Sequence, residues 1–104
     1  MYTPQPFDTK QIILSEDLTE LTEQIAGNVH DVWALGRIKE GWVFGEKEDP
    51  AARISPLLVP YADLPESEKD FDRNTAMETL KFIVGHGYTI EKKGISDPLK
   101  GGNV

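Results

Sequence analysis

Cysteine is absent from this chain of 104 residues. Its absence excludes a disulfide framework, a thiolate zinc site and a cysteine nucleophile, and it fits a reducing compartment. Long apolar runs are absent as well. No stretch approaches the ~20 residues a helix needs to cross a bilayer. The first ten residues, MYTPQPFDTK, carry neither the basic start nor the apolar run of a secretory signal. The chain therefore reads as a soluble, cytoplasmic protein. Positive charge is scarce: 11 Lys and Arg stand against 18 Asp and Glu, a net charge of −7. A general nucleic-acid or membrane-surface binder needs a basic face, so neither class suits this composition. Nucleotide-binding glycine loops, the HExxH metal motif and the GxSxG nucleophile turn are all missing. His30 and His86 have no ligand spacing to one another. The sequence reads as non-catalytic, with no metal and no cofactor.

What is present suits one small domain. Apolar residues make up 38% of the chain, enough for a modest core that buries roughly two-thirds of the unfolded surface. Pro4 and Pro6 exclude a helix at the start and favour an extended arm. Ile12 to Leu14 form a short apolar run, either a strand or a clip onto the core. Ser15 is a suitable N-cap, and Glu16 and Asp17 suit the positive end of a helix. Leu18, Leu21, Ile25, Val29 and Val32 then recur at helical spacing, within an arc of roughly 80°. The spacing predicts a helix over 16–39, stopped by Gly41.

Residues 41–62 hold three prolines and two glycines. They should be mostly loop, with short extended pieces at 42–44 and 57–59. Loops of this length are often functional. A second helix begins near Pro65, with Leu64 or Asp63 as its cap, and ends at Gly85 and Gly87. Ala76, Met77, Leu80, Ile83 and Val84 define its core face. Residues 88–90 read as a short strand. The expected architecture is α+β: two main antiparallel helices, a proline-rich N-terminal arm, an aromatic loop and short β-strands.

Both tryptophans fall within NVHDVWALGRIKEGWVFG, residues 28–45. His30, Trp33 and Arg37 are three and four apart, so they line one strip of the first helix. That strip borders the apolar arc, so Trp33 can bury its ring while His30 and Arg37 reach the rim. On residue type alone, Trp33 is core and Arg37 stacks on it as a cation–π pair. Trp42 is either tucked onto the helices or a flat face for a planar guest. Arg73 falls inside the apolar arc of the second helix, so it must pair with a carboxylate, Asp31 or Asp72, or meet an anionic guest. Asn28 lies at the edge of the first helix's apolar arc. Phe71, Thr75 and Phe82 lie opposite the core face of the second helix, which suggests a contact with the loop or with another subunit. Two functional readings stay open. One is a planar ligand at Trp42, Trp33, Arg37, His30, Arg73 and Asn28. The other is a partner or dimer surface using Phe44, Phe71 and Phe82.

Four stretches, YTPQPFDT, NVHDVWALGRIKEGWVFG, LVPYADLP and DRNTAMETLKFIVGHGY, together resemble the ryanodine receptor repeat domain, or RyR domain. The resemblance runs from about Tyr2 to Ile90. Its specific parts are Asn28 with His30, then Trp33, Arg37 and Gly41–Trp42, and the turn Leu58–Val59–Pro60–Tyr61. It implies a repeat domain over 1–92 with a frayed tail at 93–104, of the stand-alone, single-copy type found in bacteria and their phages. The family is known from tandem copies in calcium-release channels, where the repeats form pseudo-symmetric pairs, so a homodimer is implied here. Some channel repeats hold an adenine nucleotide between aromatic side chains. The resemblance makes Trp42 the first candidate for stacking on such a base. The channel pore has no counterpart in this sequence.

Overall fold

The computed structural model describes residues 1–93; the expected frayed tail lies, from residue 94 onward, outside the described residues. The element order is α1 (Glu16–Lys39), β1 (Val43–Phe44), β2 (Ile54–Ser55) and α2 (Glu66–Gly85), with 3-10 turns at Pro50–Ala52 and Tyr61–Asp63. The fold is thus two long helices with a minimal two-stranded sheet. The strands are parallel, pairing Val43 with Ile54 and Phe44 with Ser55.

α1 has the predicted limits. The Ser15 hydroxyl accepts a hydrogen bond from the Leu18 amide at 3.3 Å, and Glu16 and Asp17 occupy the first turn. At the other end Gly41 has φ +93°, a conformation that a Cβ disfavours. The Gly41 amide donates to the Ile38 carbonyl and the Trp42 amide donates to the Arg37 carbonyl, each at 3.0 Å. This Schellman pair satisfies carbonyls that the helix leaves open. It also fixes the direction in which Trp42 leaves the helix. α2 ends by the same device at Gly87, φ +95°. Its start differs from expectation. Pro65 is itself the cap, and its carbonyl accepts from Glu68 and Lys69, with no side-chain cap bond. A proline ring cannot donate, so it is tolerated where no donor is needed.

The face of α1 turned into the domain is not the expected apolar arc. The buried strip is Thr22, Ala26 and His30. Leu18, Ile25 and Val29 are half-buried beside it, while Leu21 and Val32 are 38% and 63% exposed. Small residues explain the rotation. Ala26 on α1 and Ala76 on α2 are both enclosed. Tyr61 packs its ring over Gly27, 3.6 Å from where a Cβ would stand. The buried apolar core is Ala26, Leu64, Ala76 and Leu80, and among the described residues no large side chain is completely enclosed.

The first fifteen residues hold neither helix nor strand. Ile12 and Phe7 instead cross α2 at Gly85, where a Cβ would come within 2.6 Å of both side chains. The Thr9 hydroxyl donates to Glu78 of α2 at 2.8 Å. The expected strand at 88–90 is not formed, and the expected extended piece at 57–59 likewise has no ladder partner among the described residues. The actual second strand, Ile54–Ser55, is too short to register as a pattern in the sequence.

Candidate ligand-binding site

The Schellman turn at the end of α1 brings the two indoles onto one cation. The Arg37 guanidinium carbon lies 5.8 Å from the Trp33 ring centroid and 4.9 Å from that of Trp42. Both distances are within the ≈ 6 Å reach of a cation–π contact. Both indoles are half-buried, so each also keeps surface open to solvent. Arg37 has one carboxylate partner, Glu40, at 3.3 Å, and the two side chains are 41% and 62% exposed. A pair so open to water contributes little, so the guanidinium remains available.

A second arginine stands beside this cluster. Arg53 donates from Nη1 to the Glu40 carbonyl at 2.6 Å, capping the negative end of α1. It is the only non-glycine residue with positive φ among those described, at +58°. The strain persists because its carbonyl accepts the Val43 amide at 2.9 Å, in register with the sheet. The sequence offered no signal for this role. Arginine has no preference for the left-handed region, and the contact depends on a fold-back across thirteen residues.

His30 is 5% exposed, so it is not the rim residue expected. Its Nε2 lies 2.7 Å from the Val59 carbonyl oxygen. A carbonyl only accepts, so Nε2 carries a proton. The ring stacks on Trp33 with centroids 5.6 Å apart, and Tyr61 stands 6.4 Å away on a tilted plane. The Asn–x–His and Val–Pro–Tyr segments are therefore joined by one hydrogen bond, His30 to Val59, and one ring contact, His30 to Tyr61. His30 and Trp33 form one wall of a cleft of ≈ 180 Å³, completed by Leu57, Leu64, Glu68, Phe71 and Asp72. Glu68 and Asp72 make this cleft acidic.

The other candidates are dispersed. Arg73 is held by carboxylates. It binds Glu23 with two bonds, Nε to Oε1 at 2.6 Å and Nη2 to Oε2 at 3.0 Å. It also reaches Glu66 at 3.0 Å and Asp70 at 2.8 Å. The partners are thus not the expected Asp31 or Asp72. Spacings of three and seven residues place Asp70 and Glu66 on the same side of α2 as Arg73, and Glu23 meets it from α1. Hydrogen bonds from Arg73 hold the Glu23 and Glu66 carboxyls below their ordinary range, and the carboxylates raise Arg73 in turn. Asn28 is exposed. Phe44 is 53% exposed on β1, and Phe71 is 70% exposed at the cleft mouth. Phe82 meets the N-terminal segment: its ring is 5.4 Å from Phe7 and 4.0 Å from His86. The second apolar side of α2 is therefore covered in part from within the chain.

The family model of the RyR domain matches residues 2–92 of the 104. The chain belongs to the RyR domain family.

Proposed function

We propose, with membership of the RyR domain family as the premise, that this chain is a non-catalytic binding module for an adenine-type nucleotide. The base stacks on the open surface of Trp42, and Arg37 and Arg53 meet the phosphates. The observation that carries this reading is the Arg37 guanidinium shared by two half-exposed indoles and balanced by one solvent-exposed carboxylate. Stacking contributes about 1–3 kcal/mol per base, and each charge-assisted hydrogen bond about 1.5–3 kcal/mol. One stack and two such bonds correspond to millimolar to micromolar affinity. Two packed helices hold the surface. Their antiparallel course is supported by Leu18 lying near Val84 and Trp33 lying near Phe71.

Tryptophan emission tests the reading. Addition of ATP to the full chain should change it saturably. Trp42→Ala should weaken binding tenfold or more, with Trp33 still reporting. Arg37→Gln should reduce the preference for ATP over adenosine while leaving adenosine binding nearly unchanged. No response up to millimolar ATP would instead favour a protein-interaction role. That second reading is supported by the exposure of Val43, Phe44 and Phe71.

A further inference from the structure

The first two turns of α2 hold four acids, Glu66, Glu68, Asp70 and Asp72. They divide into two pairs. Glu66 and Asp70 meet Arg73, and Glu66 also meets Lys69. Glu68 and Asp72 have no ion pair among the described residues, and the basic side chains next to them in sequence are engaged by other carboxylates. Four residues apart, Glu68 and Asp72 are neighbours on the helix surface, where like charges repel. Both line the cleft of ≈ 180 Å³ beside Trp33. Leu57, the buried Leu64 and Phe71 add apolar surface to it. His30 lines it too and is 5% exposed. The His30 Nε2 proton is held by the Val59 carbonyl, and Nδ1 has no hydrogen-bond partner among the described residues. An imidazole protonated at Nε2 keeps Nδ1 as a bare acceptor.

We propose that this cleft binds the side chain of a lysine from a basic partner polypeptide. Charge and size both select that occupant. Unpaired carboxylates and aromatic faces attract a cation. An ammonium has three donors and no acceptor, which suits Glu68, Asp72 and Nδ1 of His30. Its aliphatic stem packs on the leucines and the Trp33 ring, as the stems of charged side chains do on apolar surface. A cleft of ≈ 180 Å³ is smaller than the ~300–1,000 Å³ of a small-molecule site. It therefore takes one side chain and not a whole cofactor. A polypeptide also gives a contact to Phe71, which is 70% exposed at the mouth. The net charge of −7 favours the approach of a basic partner. The site shares Trp33 with the nucleotide surface but uses none of Trp42, Arg37 and Arg53, so the two readings stand or fall separately.

The indole N–H signal of Trp33 in a proton–nitrogen correlation spectrum tests this on the full chain. Titration with N-acetyl-lysine methylamide should shift it saturably in the millimolar range. N-acetyl-norleucine methylamide, which has the same stem and no charge, should leave it in place. A lysine–leucine dipeptide blocked at both ends should bind more tightly than pentylamine. Glu68→Gln with Asp72→Asn should weaken binding about tenfold or more. That variant should keep its far-ultraviolet circular dichroism, because it removes a repulsion. Glu20→Gln with Glu46→Gln takes the same charge from elsewhere on the surface and should change the affinity less than about twofold. Trp42→Ala should leave lysine binding unchanged. A Trp33 signal that stays fixed, a norleucine derivative that binds equally, or an affinity unchanged by Glu68→Gln with Asp72→Asn would each overturn the proposal. Pentylamine binding as tightly as the dipeptide would assign the cleft to a free amine and overturn the polypeptide partner.

Discussion

Tyr61 carries the one buried side-chain polar atom without a hydrogen-bond partner among the described residues. Its hydroxyl lies beside the Glu23–Arg73 pair without bonding geometry to either. Burial raises its pKa first, and the neighbouring Glu23 charge raises it further. The ring, by contrast, is well used: it covers Gly27 and faces His30. An unpartnered buried donor costs about 1–3 kcal/mol. Tyr61→Phe keeps the ring and removes that cost. Urea unfolding of the variant should give a midpoint equal to or above that of the parent chain. A loss of more than about 1 kcal/mol would mean that the hydroxyl has a partner. His30 is the opposite case. Its proton is matched to the Val59 carbonyl, so the same replacement by an apolar ring would leave that carbonyl open.

Between the elements, α1 and α2 are tied by the bidentate Glu23–Arg73 contact. Glu23 and Glu66 titrate below their ordinary value of 4.5 when folded. Carboxylates with depressed values stabilise the fold above the unfolded pKa, and that contribution disappears as pH falls through the folded one. The urea midpoint should therefore stay level from pH 7 to about 5 and decline below about 4. Arg73→Met should flatten the decline, and an unchanged acid slope in that variant would dissociate the pair from stability. The same elements mark how much was legible in advance. α1 was readable to the residue because Ser15 and Gly41 bracket it with local chemistry, and α2 ended at its glycines for the same reason. The buried strip of α1 was not readable. Apolar periodicity identified Leu18 to Val32, but the enclosed residues of α1 are Thr22, Ala26 and His30, which carry little hydrophobic signal. The strand at Ile54–Ser55 and the partners of Arg73 depend on contacts distant in sequence, which spacing cannot encode. Of the candidate site, the Trp33–Arg37 step was legible as a helical strip. Trp42 joined it through the Schellman turn, and Arg53 joined it through a left-handed residue that no pattern announces.

At the scale of the whole molecule, the two indoles border groups of opposite charge. Glu68 and Asp72 line the cleft beside Trp33, and Arg73 is held by Glu23, Glu66 and Asp70. Arg37 and Arg53 mark the end of α1, against an overall charge of −7. In the proposed reading, an arginine shared by two indoles is the feature a nucleotide would meet. The two tryptophans give the most direct test, because the chain contributes two indole N–H signals and no more to a proton–nitrogen correlation spectrum. Titration with ATP should shift both signals saturably and together, with the larger change at Trp42, and adenosine should shift Trp42 with lower affinity. Indole signals that stay fixed up to millimolar ATP, or that move only where high salt alone moves them, would contradict the account.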